Sequence, residues 1–234
     1  MPARGVLYSQ KIQQAIRTVE DLTNRKVIIG TLGGNEDKGD RLAQGFHARE
    51  GKVERIWLNV RLSPAAYEAT AAHELAHILQ KWQDFPFARA NDQHLAPLAD
   101  RVNNLVLDIH ADRWALAHGF QVGQALAESG VTRVVAALRN DSQGTASKQE
   151  PSKTDPRALA VDYAALRLRL ERFGLFTSLD AEWDKRWLES RALGLKISKA
   201  LARRRFSSAA SCRRAMETVL KLLKVPPESI QVTG

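Results

Sequence analysis

The stretch that most constrains this chain begins at Ser63-Pro64 and carries His73-Glu74-Leu75-Ala76-His77 at its centre. A serine side-chain oxygen can cap the free N–H groups of a helix start, and a proline just inside it loses nothing by lacking an N–H. The spacing therefore predicts a helix from there to about Trp82. On such a helix, residues four apart leave the same face about 40° from one another, so the imidazoles of His73 and His77 reach one metal ion. Glu74 is rotated by about 100° from His73, near that ion but off its axis, where a carboxylate polarises a water. The plain alternative is a helix with two surface histidines and a glutamate. If a metal is held, the fold must support this helix, leave its histidine face reachable, and bring a third ligand from elsewhere. Ala65, Ala69, Ala72 and Ala76 form a narrow stripe beside the histidines, small enough to let a neighbouring helix come close.

Downstream candidates for the third ligand are His94, Asp100, Asp108, His110, Asp112 and His118. The metzincin pattern, with a glycine and then a third histidine six residues after the second, is excluded because positions 80 and 83 are both glutamine. Around Asp108 the apolar arc of a helix is written by Leu98, Val102, Leu105, Ile109 and Leu116, with Asp112 inside it and Asp108 at its edge. Carboxylates aimed at a core are costly unless paired or bound to metal. One of the two can ligate the ion while the other, a turn away, receives the remaining N–H of a ligand histidine. Surface pairing of these acids with Arg101 or Arg113 is the alternative. His110 and His118 point elsewhere and are expected as surface or cap residues.

Around this centre the patterns alternate between the helical and extended periods. A helix is expected over 8–22, a strand at 27–29, a loop over 30–40, and two strands over 42–48 and 53–60 joined by a turn at 50–52. A loop holds 84–87, and a helix runs over 92–118, with Pro97 beginning or kinking it and Gly119 stopping it. Residues 121–139 read as helical with a break near Gly130. The polar stretch 140–156 reads as a flexible linker. Helices follow over 157–173, 180–202 and 208–224, the last ended by Pro226-Pro227. The expected fold class is α+β, divided into a first domain at 1–139, a linker at 140–156 and a basic helical region at 157–234.

Cys212 is the only cysteine, so a disulfide scaffold is excluded. The start has no apolar core of the export type and no stretch approaches the roughly 20 apolar residues that span a bilayer. A cytoplasmic protein with no membrane partner is the expectation. The formal charge of +9 is uneven: residues 1–120 carry 15 basic and 14 acidic side chains, whereas residues 185–224 carry 12 basic and two acidic. Arg203, Arg204, Arg205, Arg213 and Arg214 are the densest cations there. They suit contact with nucleic acid or an acidic partner protein, or a solvated helical face. Trp183 and Trp187, one turn apart, are expected in a core.

The strand over 53–60, the Ser63-Pro64 helix start, His73-Glu74-Leu75-Ala76-His77 and then Asp108-Ile109-His110-Ala111-Asp112-Arg113-Trp114-Ala115 together resemble a gluzincin-type zinc metallopeptidase. Among small soluble versions, the order of elements is most similar to the ImmA/IrrE-like peptidases, over about residues 8–120. The second motif departs by carrying Asp108 where glutamate is usual. The resemblance implies a minimal zincin-like domain, with a small, mostly antiparallel sheet packed on the His-Glu-x-x-His helix. It also implies one Zn²⁺ bound by His73, His77 and Asp108, with Asp112 behind them and Glu74 as general base for attack of water on a peptide bond. The strand at 56–60 would pair with an extended protein or peptide substrate. Tyr67 and His110 are candidates, by residue type alone, to steady the oxyanion. Two other functions are compatible with the same residues. One is a non-enzymatic zinc-binding regulatory protein whose basic C-terminal helices bind nucleic acid or an acidic partner. The other is a metal hydrolase acting on a non-peptide amide.

Overall fold

The computed structural model describes residues 8–32, 45–59, 62–128, 155–176, 180, 181, 183 and 187–234. Most of the loop expected over 30–40, the start of the strand at 42–48, Val60, the break near Gly130 and linker positions 140–154 lie outside the described residues. The chain is an α+β protein, mostly helical, with small sheets. It separates into two compact units, residues 1–83 with 111–130 and residues 84–110 with 131–234. This division does not follow sequence order, because residues 84–110 group with the C-terminal helices and not with the segment before them.

In the first unit, α1 (Gln10–Thr23) is capped by Ser9, whose side chain accepts from the Ile12 N–H, and it buries Ile12, Ala15 and Val19. Strands β1 (Lys26–Leu32), β2 (Gly45–Glu50) and β3 (Val53–Asn59) form one sheet in the order β1-β3-β2. The tight turn at Gly51, φ +58°, forces β2 and β3 antiparallel, so β3 runs in the direction of β1 and pairs with it in parallel. The sheet is therefore mixed, where a mostly antiparallel one was expected. Alternation along β3 buries Glu54, Ile56 and Leu58; the Glu54 carboxylate is neutralised by Arg25 at 2.8 Å. Helix α2 (Pro64–Trp82) starts where the cap predicts, with Ser63 accepting from the Ala66 N–H. It packs on α1, β2, β3 and the short α4 (Val122–Leu126). Ala69, Ala72 and Ala76 of the small-residue stripe are buried, and Ala65 is half-buried.

The second unit holds two four-residue strands that periodicity does not foretell. β4 (Phe87–Ala90) lies where a loop was expected, and it pairs antiparallel with β5 (Ile230–Thr233). A turn of 3₁₀ helix at Gln93–Leu95 precedes α3 (Ala96–Ala117), with Pro97 in its first turn and Gly119, φ +78°, just past its end. α3 is one continuous helix: residues through His110 belong to this unit and those from Ala111 to the first. Helices α5 (Pro156–Leu170), α6 (Leu188–Ala202) and α7 (Ala209–Leu222) complete the unit. Its core includes Val102, Leu105, Val161, Ile197, Met216 and Val219. α5 and α6 touch closely at Gly194, where an added Cβ would lie 2.6 Å from the Tyr163 ring and 2.7 Å from the Ala160 carbonyl oxygen. Trp183 is buried against Tyr163, while Trp187 is half-buried.

Candidate metal centre

α2 is almost wholly apolar and alanine-rich on its buried side, so its polar side chains at the His-Glu-x-x-His segment must find partners or a ligand. The structure supplies partners to one nitrogen of each histidine. His73 Nδ1 lies 2.8 Å from Asp112 Oδ1, and His77 Nδ1 lies 2.8 Å from Gln80 Oε1. A carboxylate and an amide oxygen only accept, so both Nδ1 atoms carry the proton. A ring protonated at Nδ1 alone presents its Nε2 lone pair, and these two Nε2 atoms face each other at 2.9 Å. Facing lone pairs at that distance repel unless a proton or a cation lies between them.

Asp108, one turn before Asp112 on α3, brings a carboxylate oxygen into the same group: one ligand atom from each of His73, His77 and Asp108 lies within 4.8 Å of the others. These three residues could hold a metal ion. Two ligand nitrogens about 3.3 Å apart would suit tetrahedral zinc with bonds of about 2.0 Å, so the observed 2.9 Å needs only a small opening. The chemistry of the donor set, two imidazoles and a carboxylate, also fits. Asp108 is further held through Oδ2 by Arg169 of α5 at 2.8 Å, where surface pairing with Arg101 or Arg113 was the alternative. Arg101 instead pairs with Asp162.

Glu74 is buried, and its Oε2 accepts from His47 Nδ1 of β2 at 3.2 Å. Burial alone would push the Glu74 carboxyl upward. The His47 hydrogen bond first, and the electrostatic influence of the neighbouring His73, His77 and His47 side chains after it, together outweigh burial and hold the group below the ordinary glutamate range. Glu74 is thus a carboxylate at neutral pH, held a helix step from the two facing imidazoles. The His47 ring also lies parallel to His77, with centroids 6.2 Å apart and planes 18° apart.

Several other expectations change. His94 and Asp100 are exposed and join no group with the histidines. His118 is exposed at the end of α3 and bonds the Trp114 carbonyl, as a cap residue does. His110 is buried against Phe85, with ring centroids 4.5 Å apart, so it is not the surface residue expected. Tyr67 is buried on α2, where burial chiefly and the nearby Tyr8 second push its hydroxyl's pKa up. β3, expected to receive a substrate strand, is the central strand and is hydrogen-bonded on both sides by β1 and β2. Of the basic cluster, Arg203, Arg205 and Arg214 are exposed, but Arg204 bonds Thr218 and Arg213 bonds the carbonyls of Val232 and Gly234.

Sequence reasoning passed over His47, Gln80 and Arg169. Gln80 had a legible signal, since a residue three after His77 lies on the same helix face. His47 had a weaker one, a polar residue in phase with the buried side of a strand. Arg169 had none.

Compared with models of known protein families, with curated proteins and with solved structures, the chain matches none of them.

Proposed function

We propose that the protein is a zinc-dependent metallopeptidase in which His73, His77 and Asp108 hold one Zn²⁺ and Glu74 is the general base. The observation that carries this reading is the pair of facing Nε2 atoms, each ring locked by a partner on its far nitrogen, with the Glu74 carboxylate on the same helix turn. The His-Glu-x-x-His spacing and the later acidic helix are what relate the chain to gluzincin-type peptidases of the ImmA/IrrE-like kind. A purely structural metal site needs no carboxylate beside the ligands, which favours the enzyme over a non-catalytic metal-binding protein.

A zinc ion in this position supplies Lewis-acid charge that acidifies water and polarises a peptide carbonyl. The chain's own residues do the rest. Glu74 takes the proton of the attacking water and returns it to the departing amine, a double role that suits one ionised carboxylate beside the reacting atoms. Asp112 and Gln80 hold His73 and His77 in the tautomer that points Nε2 at the ion, and Arg169 steadies Asp108. An extended peptide adds to the outer edge of β2, which among the described residues is paired only on its β3 side.

The test is cleavage of a mixed peptide library by the wild type and by Glu74→Gln, each assayed for zinc. One equivalent of zinc in both, with hydrolysis only by the wild type, is the expected outcome. Equal cleavage by both would remove Glu74 from the chemistry.

A second reading concerns the basic region alone. Arg203, Arg205 and Arg214 are exposed in a segment of strong positive charge, and this favours a polyanion such as nucleic acid, or an acidic protein, as partner of that region.

A further inference from the structure

We infer that His47 is a positioning residue for Glu74, holding one carboxylate oxygen so that the other is presented to the water that attacks the substrate. The inference rests on the peptidase reading for its catalytic consequence, but not for the contact itself.

His47 stands in β2 directly opposite Ile56, which is fully buried, so its side chain enters the space between the sheet and α2. An apolar residue is the default at such a position, since an imidazole there must be desolvated. The ring makes one hydrogen bond among the described residues, from Nδ1 to Glu74 Oε2 at 3.2 Å, and its buried Nε2 has no hydrogen-bond partner. The polarity of this side chain is therefore spent on Glu74 and on nothing else described. Its ring also lies parallel to the His77 ring, with centroids 6.2 Å apart.

Gly45, two residues earlier on the same strand, sets the height of His47 above α2. A Cβ there would lie 2.7 Å from Leu58 Cδ2 and 3.1 Å from Thr70 Cγ2 of α2. Without a side chain, β2 settles close enough to α2 for a short imidazole to reach the glutamate. Holding one oxygen fixes the Glu74 rotamer, and a base held in place before the reaction loses less orientation in reaching the transition state. His47 is not among the residues that offer ligand atoms within reach of one another, which are His73, His77 and Asp108.

The test uses the full chain, zinc-loaded, as wild type, His47→Leu and His47→Asn. Asparagine places an N–H donor near the position of Nδ1, and leucine keeps the bulk without the donor. His47→Leu should lower kcat about ten- to a hundredfold with KM unchanged and zinc affinity within about threefold of wild type. His47→Asn should recover most of the loss. A spectroscopic readout stands apart from turnover: in ¹⁵N-histidine-labelled metal-free protein, His47 should be the Nδ1–H tautomer, and Glu74→Leu should abolish that preference. If His47→Leu keeps full kcat, or if leucine and asparagine lower it equally, the positioning role is wrong. An Nε2–H tautomer in the wild type would overturn it even if the protein cleaves no peptide, an outcome that would separately defeat the peptidase reading. Should His47→Leu fail to fold, His47→Asn and the tautomer decide the matter.

Discussion

Asp112 grips His73 from behind, and the consequence of releasing that grip can be measured without any substrate. Asp112→Ala should weaken zinc binding roughly ten- to a hundredfold in a chelator competition, because His73 loses both its orientation and its tautomer. The burial of Asp112 places the effect toward the upper end. Unchanged affinity would mean that the 2.8 Å hydrogen bond has no part in holding the ligand. At this scale the sequence was informative where one helix carries the chemistry. The spacing of His73, Glu74 and His77 places all three on one turn, and the acids a turn apart on the next long helix pointed to Asp108 and Asp112. His47 and Arg169 were not legible, since they reach the site from elements 27 and 61 residues distant from their partners Glu74 and Asp108, and only the fold brings them there.

Single elements depend on details that sequence partly foretold. Ser63 caps α2, and Asp155 caps α5 while also pairing with Arg157. Asp155→Ala should destabilise the protein by about 1 kcal/mol at neutral pH. The Asp155 carboxyl is held below its usual range, first by the Arg157 hydrogen bond and against some burial. Its ionised form therefore stabilises the fold above the unfolded value of about 3.9 and ceases to do so as pH falls through the lower folded value. Urea denaturation of wild type and variant should accordingly converge at acid pH; a gap that widens there would contradict the assignment. Gly194→Ala should cost about 1–3 kcal/mol, since the new methyl meets a backbone carbonyl of α5 that cannot rotate away. A neutral result in thermal unfolding would mean that α5 and α6 separate easily. Neither β4 nor β5 was legible, because four residues give no measurable alternation and their pairing joins positions about 140 residues apart. The strand beside α2 differs from expectation for a related reason: periodicity shows that β3 is half-buried, but not that β1 and β2 flank it.

For the molecule as a whole, the charge of +9 resolves into residues with different duties. Arg204 and Arg213 are engaged within their own unit, the latter against the last strand, so they are poor candidates for a partner. Replacing Arg203, Arg205 and Arg214 together by alanine should leave the fold intact. It should weaken binding to duplex DNA and flatten its salt dependence, the slope falling by about one for each phosphate no longer neutralised. DNA binding that is absent from the wild type, or equal in the variant, would turn the basic face over to an acidic protein or to solvent. No helix among the described residues is long and apolar enough to cross a membrane. The boundary expected after residue 139 lies outside the described residues, and the two compact units divide α3 between His110 and Ala111. Linear composition does not reveal that a mid-chain segment such as residues 84–110 groups with the C-terminal helices.

The central claim is that His73, His77 and Asp108 form one metal centre, and titration of metal-free protein with Zn²⁺ against a chromophoric chelator tests it most directly. One tight equivalent is expected in the wild type, with affinity lowered by more than about a hundredfold in His77→Ala and in Asp108→Ala but unchanged in Asp100→Ala. No tight equivalent, or equal affinity in all four proteins, would contradict it.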